Sequence, residues 1–319
     1  MGDRRAEIKR WEARWFVRVA IATFLAVALL IAAAVVISGV GGSGDAALLH
    51  SAKEHSGEVT LSAVLEALGF LLLVPPLYFL FRAAASRSER MKRQLIGLAI
   101  AAPLFFSVSA ILNSTATNEA ADQFSAGQAK STLTAKEAGS ECSSELKDVG
   151  KEEFGEEFDA KGKTPREDCV ATQVADDEAG NALSEASTRG LATGFGLGGR
   201  LGLAIILLYT CLYAMRTGLL SRFWGSLGMA LGVAALLLLV QFTVIFFIYL
   251  GLLLLGKVPG GRPPAWEAGE SIPWPTPGEQ AATELEPSEE PPVAAEEPQP
   301  PEEPPERRKR KQRVDGPSE

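Results

Sequence analysis

Charge is missing from long stretches of this chain. Residues 19–37, 95–112 and 223–256 contain no Asp, Glu, Lys or Arg, giving runs of 19, 18 and 34 residues. Such runs exclude solvated surface elements, and about 20 apolar helical residues cross a bilayer core of roughly 30 Å. Histidine is scarce, with two in 319 residues, and cysteine occurs three times. There is no H-E-x-x-H, G-x-S-x-G, G-x-x-x-x-G-K-[ST] or C-x-x-C. Those absences count against zinc proteases, the familiar serine hydrolases, P-loop nucleotide enzymes and dithiol oxidoreductases. No catalytic residue, metal site or cofactor is assigned, and no nucleic-acid partner is expected. The fold expected is all-α, a polytopic transmembrane helical bundle whose main partner is the lipid bilayer.

What charge there is falls in blocks, so the net −8 averages over segments of opposite sign. Residues 1–16 form a basic collar, and Arg5, Lys9, Arg14 and, just beyond it, Arg18 recur at helical spacing, with Trp11 and Trp15 one turn apart. Basic residues with tryptophans anchor a helix at the headgroups. The first apolar run exceeds the 7–15 residues of a cleaved signal peptide, so a retained helix is expected. Residues 17–112 are read as three spans, 113–190 as an exterior acidic loop, 191–257 as the remaining spans and 258–319 as a tail. The basic segments 82–93 and 216–222 then lie inside with the N-terminus, as the positive-inside rule requires.

The last run sets the span count. As one straight helix, 34 residues extend about 51 Å, far more than the bilayer core. Two helices, about 219–239 and 242–257, with a turn near Val240–Gln241 fit better, so six spans are favoured over five. The tail alternates Glu and Pro from Glu289 to Pro305 and ends in a basic cluster, Arg307 to Lys311. That composition predicts disorder with polyproline-II character, and a protein partner of the tail or of the exterior loop is the interaction considered.

The exterior loop holds 17 acidic and 8 basic residues and both Cys142 and Cys169. A disulfide between them would close a loop of about 28 residues, stabilising by about 3–4 kcal/mol in the chain-entropy picture. The loop's few aromatics, Phe124, Phe154 and Phe158, predict little core, with short helices and disorder. His50 and His55, near Asp45, Glu54 and Glu58, have no standard metal-ligand spacing and are read as a solvated loop. Cys211, inside an apolar run, is read as a packing residue.

Two charges stand inside spans. Glu66 lies seven residues into the second span and Arg200 nine into the fourth, at similar depth. Intramembrane charges pair or face water, so an ion pair between Glu66 and Arg200 is expected. Pro75, Pro76 and Pro103 should kink their helices. Gly190, Gly194, Gly198 and Gly202 recur every four residues, a seam that lets helices approach closely in lipid. Packing within one chain is its first use, and a homo-oligomer the second.

The run RTGLLSRFWGSLG (Arg216 to Gly228), followed by PGGRPPAWEAGE (Pro259 to Glu270) and PWP (Pro273 to Pro275), resembles a group of uncharacterised multi-pass membrane proteins of actinobacteria. The resemblance covers about residues 190–275 and implies about six spans in a bacterial cytoplasmic membrane, with no activity to transfer. The group tends to have Gly or Pro between the last two spans, where this chain has Val240-Gln241-Phe242. Trp266 and Trp274 are read as interfacial anchors. The function expected is non-enzymatic sensing or scaffolding at the bacterial cell envelope. The alternative is a small-solute or proton-coupled transporter using Glu66 and Arg200.

Overall fold

The computed structural model describes residues 2–134, 136–140, 142, 165–237, 240–259 and 261–274. The tail beyond 274, with its prolines and basic cluster, and residues 143–164 lie outside the described residues. Among the described residues every regular element is helical, and four segments are long and apolar enough to cross a membrane: Arg5–Ile37, Ser56–Arg87, Arg93–Ser125 and Arg189–Arg216. The collar is not a separate element. Helix α1 (Gly2–Ile37) runs through it without a break into the first apolar segment. The second segment is two helices, α3 (Ser56–Leu71) and α4 (Val74–Arg87), which meet at Leu72–Leu73. Pro75 and Pro76 lack the N–H groups that would continue the ladder, but at the start of a helix those donors have no intrahelical acceptor anyway.

Helix α5 (Ile96–Ser125) and α7 (Arg189–Arg216) pack side by side, and α5 also packs on α3. The 34-residue apolar run is divided into α8 (Arg222–Leu236), a tight turn at Val240–Phe242 and α9 (Thr243–Leu255). Trp224 stacks on Tyr249 with ring centroids 3.7 Å apart, and Gly228 faces Phe246. In those pairings the residue number falls along α9 as it rises along α8, so the two helices are antiparallel. Thr243 closes the turn by donating its hydroxyl to the Val240 carbonyl at 2.6 Å. Helix α9 lies against α1, where Gly251 admits the Phe24 ring.

Residues 113–190 contain more structure, where described, than their composition predicts. Helix α5 continues to Ser125 and α6 spans Pro165–Glu185, so the expectation of short helices is corrected. These helices and α2 (Asp45–Glu54) enclose a core of Leu49, Ala52, Val59, Ala116, Ala120, Ala121, Ala179, Ala182 and Ala186. Alanine lets helix axes come close, so a core forms with Phe124 as the one aromatic ring of Phe, Tyr or Trp packed against it among the described residues. Asp176 on α6 accepts the Ala46 N–H at 2.9 Å and so caps α2. Gly44 has φ +107°, and a Cβ there would meet the Asp176 carboxylate at 2.5 Å. Asp177 accepts from the Ser131 hydroxyl and from the Thr132 and Leu133 N–H groups. Thr134 and Glu137 form a capping box. Cys142 and Cys169 are joined in a disulfide across this cap.

At the opposite end, Glu12 of α1 and Arg87 of α4 form an ion pair with side chains 1 % and 0 % exposed. Arg87 also donates from Nε and Nη2 to the Ala265 carbonyl, at 3.2 and 3.1 Å. Ala265 belongs to α10 (Pro264–Ala268), a single turn that follows α9. Trp266 is buried there, with Phe79 parallel to it and Phe16 edge-on, and it donates its indole N–H to Leu219 at 2.9 Å. Trp274 donates likewise to Leu220 at 2.8 Å. The anchor reading of Trp266 is thus corrected. It closes a platform beneath the bundle, and both motif runs that carry the resemblance meet in it. Gly218, at φ +76°, is pressed against the Ile272 carbonyl, which leaves no room for a Cβ.

Two outcomes follow for stability. Glu12→Ala leaves a buried guanidinium without its counter-charge, a loss of about 3–5 kcal/mol by analogy with other broken buried pairs. Thermal unfolding in detergent should show it, and Glu12→Leu combined with Arg87→Met should recover most of it. At the cap, hydrogen bonds from the Ser131 hydroxyl and then the Leu133 N–H hold the Asp177 carboxyl below its ordinary range. Its contribution is present above the ordinary Asp pKa and is lost as pH falls through the lowered one. Amide exchange at residues 132 and 133 should therefore accelerate below about pH 4, and Asp177→Asn should abolish the acid dependence there.

Candidate functional site

Glu66 sits ten residues into α3, about 15 Å along it, and borders a cavity of about 560 Å³. The cavity's apolar wall comes from Leu30 and Ile31 of α1, Phe70 of α3, and Val240 and Val244 at the α8–α9 turn. Ser62, Asn113, Ser114 and Gln241 add polar groups, and Leu48 and Ala52 of α2 close it from the cap side. Among the described residues the Glu66 carboxylate has no hydrogen-bond or ion-pair partner. A concave, mostly apolar space of this size with a few convergent polar groups has the form of a small-molecule site. The arrangement can bind a molecule with an apolar body and a cationic or donor group. The Ser62 and Ser114 hydroxyls that share the cavity donate to the Val59 carbonyl rather than to Glu66.

The expected Glu66–Arg200 pair is not formed. The ion pairs among the described residues are Arg5–Glu270, Lys53–Asp122 and Glu12–Arg87. Helix α5 stands between the two charges. Its Ser107 hydroxyl donates to the Ala67 carbonyl of α3, and its Ser109 hydroxyl donates to the Ala192 carbonyl of α7, both at 2.8 Å. No residue of α7 borders the Glu66 cavity. Arg200 is half-buried, and its Nε has no hydrogen-bond partner.

The glycine seam divides in two. A Cβ at Gly202 would meet Ala102 at 2.8 Å and one at Gly198 the Phe105 ring at 2.9 Å, whereas Gly190 and Gly194 face open space. Gly196 and Gly199, outside the four-residue spacing, also meet α5, at Ser109 and Phe106. The packed face is therefore broader than the seam, and only its later half is used within the chain. Cys211 is buried against Gly228. His50, exposed on α2, lies edge-on to Phe124, and His55 Nδ1 is 3.1 Å from the Ser51 carbonyl. Among the described residues no group of three or more His, Cys, Asp or Glu is placed to hold a metal ion.

Sequence reasoning missed the polar groups that share the cavity with Glu66. The sequence places Gln241 at the turn, and Asn113 and Ser114 in the loop, because the third apolar run stops at residue 112. A Leu at Gly202 should lower the thermal midpoint by the equivalent of about 1–3 kcal/mol, the usual overpacking cost, whereas a Leu at Gly194 should leave the midpoint of the purified protein unchanged. No family model, no curated protein and no solved structure matches this chain.

Proposed function

We propose that this chain is a non-enzymatic multi-pass protein of a bacterial cytoplasmic membrane that senses or scaffolds at the cell envelope. The observation that carries the reading is that one cavity is shared by the membrane helices, through Glu66 and Phe70, and by the cap, through Leu48 and Ala52. A molecule entering it touches both, so occupancy and cap position are linked through common contacts. The proposed orientation puts the basic platform end inside and the acidic cap outside, following the positive-inside rule. Six spans are proposed because the chain after α9 returns to the N-terminal end of α1, where Trp266 meets Phe16. Helices α8 and α9, of 15 and 13 residues, are short for a full crossing. The adjoining residues 217–221 and 256–258, and the turn itself, extend them.

A second reading, transport through Glu66 and Arg200, is favoured by the interruption of the helix at Leu72–Leu73, six residues from Glu66, and by the unpartnered Arg200 Nε. Glu66→Gln separates the two readings. With sensing, amide-exchange protection of α2 around Leu48–Ala52 should change in the purified variant, while solute and proton flux in vesicles stays as in the wild type. Unchanged protection would refute the link between cavity and cap. Abolished flux would establish transport instead.

A further inference from the structure

Six arginines of the platform end fall into two groups. Arg5, Arg87 and Arg262 are engaged, by Glu270, by Glu12, and by the Leu253 and Leu254 carbonyls respectively. Arg14, Arg82 and Arg93 have no carboxylate partner among the described residues, and all three border one groove of about 480 Å³ between α1, α4 and the start of α5. Their positions are not random. Arg82 lies 4.6 Å over the Trp11 ring and donates from Nη1 to the Tyr78 hydroxyl at 3.2 Å. Arg14 donates its Nε to the Arg10 carbonyl at 3.3 Å. The terminal nitrogens of Arg14 and Arg93, and Nη2 of Arg82, remain for a ligand.

The groove has a polar rim and an apolar floor. Ile8, Phe81, Ala85 and Ile96 line its deeper wall, and Glu7 is its one acidic residue. Three guanidinium charges against one carboxylate leave a local excess of two positive charges at the level where two membrane-length helices end. Guanidinium groups match phosphate oxygens in a fork geometry that an ammonium cannot offer. A soluble anion would satisfy the rim but not the apolar wall. A lipid satisfies both, with phosphate at the arginines and acyl chains along the wall between α1 and α4. Basic pockets between helix ends are the form such headgroup sites take.

We propose that Arg14, Arg82 and Arg93 form a binding site for an anionic phospholipid, best filled by a headgroup with two phosphodiesters. The proposal rests on the chain lying in a membrane, and is independent of whether the Glu66 cavity binds a ligand.

The test is native mass spectrometry of the full-length protein in detergent, titrated with diphosphatidylglycerol and, separately, with phosphatidylcholine. Retention of the anionic lipid over the zwitterionic one is expected. The triple variant Arg14→Gln, Arg82→Gln, Arg93→Gln should weaken it by about a hundredfold, taking each basic residue near the surface at its usual contribution. Arg90→Gln with Lys92→Gln, basic residues of the same end outside the groove, should change it less than about threefold. Equal losses in both variants, or no preference between lipids in the wild type, would overturn the proposal. So would displacement of the lipid by millimolar inorganic phosphate, which would make the site one for free phosphate. If the triple variant does not fold, Glu7→Gln decides: it removes the one acidic residue and should tighten the anionic lipid severalfold, and unchanged binding would refute the site.

Discussion

Everything at the platform end converges on the guanidinium of Arg87. It has left water completely, a change that costs several kcal/mol unless its donors find acceptors. Here they do: both Glu12 carboxylate oxygens, the Ala265 and Ala83 carbonyls and the Ser86 hydroxyl lie within hydrogen-bond distance. Three segments far apart in sequence are thereby required to meet at one point. A pair this deep contributes less to net stability than to uniqueness, because an apolar replacement could pack as tightly but would not demand the same partners. The aromatic rings around it extend the arrangement. Trp11 stacks on Phe79, Phe79 lies parallel to Trp266, and Trp266 reaches the turn between α7 and α8.

The two ends of the bundle are held by different chemistry. The platform uses large rings and arginine, which suit an interface where an apolar body must end in a polar tip. The cap uses alanine methyls, serine and aspartate, so its helices approach closely and its charged groups stay wet. Helices α5 and α7 connect the two. The Glu66 cavity lies where the apolar bundle gives way to the cap, the only depth at which Phe70 and Asn113 can border the same space.

The membrane segments were legible because lipid tolerates only helices whose backbone bonds are internal, and their side chains must be apolar over a fixed length. Hydropathy marks depth, however, and not where a helix stops. Thus α5 was ended at Leu112, although Asn113, Ser114 and Thr115 continue the same helix into water. The cap was underestimated for a related reason. Ala116, Ala120, Ala179 and Ala182 bury a core with a residue that gives almost no hydrophobic signal. Nothing local to Glu12 announces its partner Arg87, 75 positions away. For Glu66 and Arg200 the depth was readable, but the face of each helix was not, and α5 separates them. Trp266 looked interfacial because its sequence context is polar, whereas its rotation into the platform depends on Gly261, Gly269 and the chain's return beneath α1.

Helix α5 has a mechanical consequence. It is about 45 Å long and contains a proline, Pro103, that deprives one turn of its hydrogen bond. From Pro103 to Ser125 the arm is about 33 Å, so a tilt of about 5° at that turn carries the far end sideways by about 3 Å. A change in bilayer thickness that alters the tilt of the apolar half by a few degrees is thus multiplied along the arm. It arrives at the disulfide-closed cap as a displacement the size of a methyl contact.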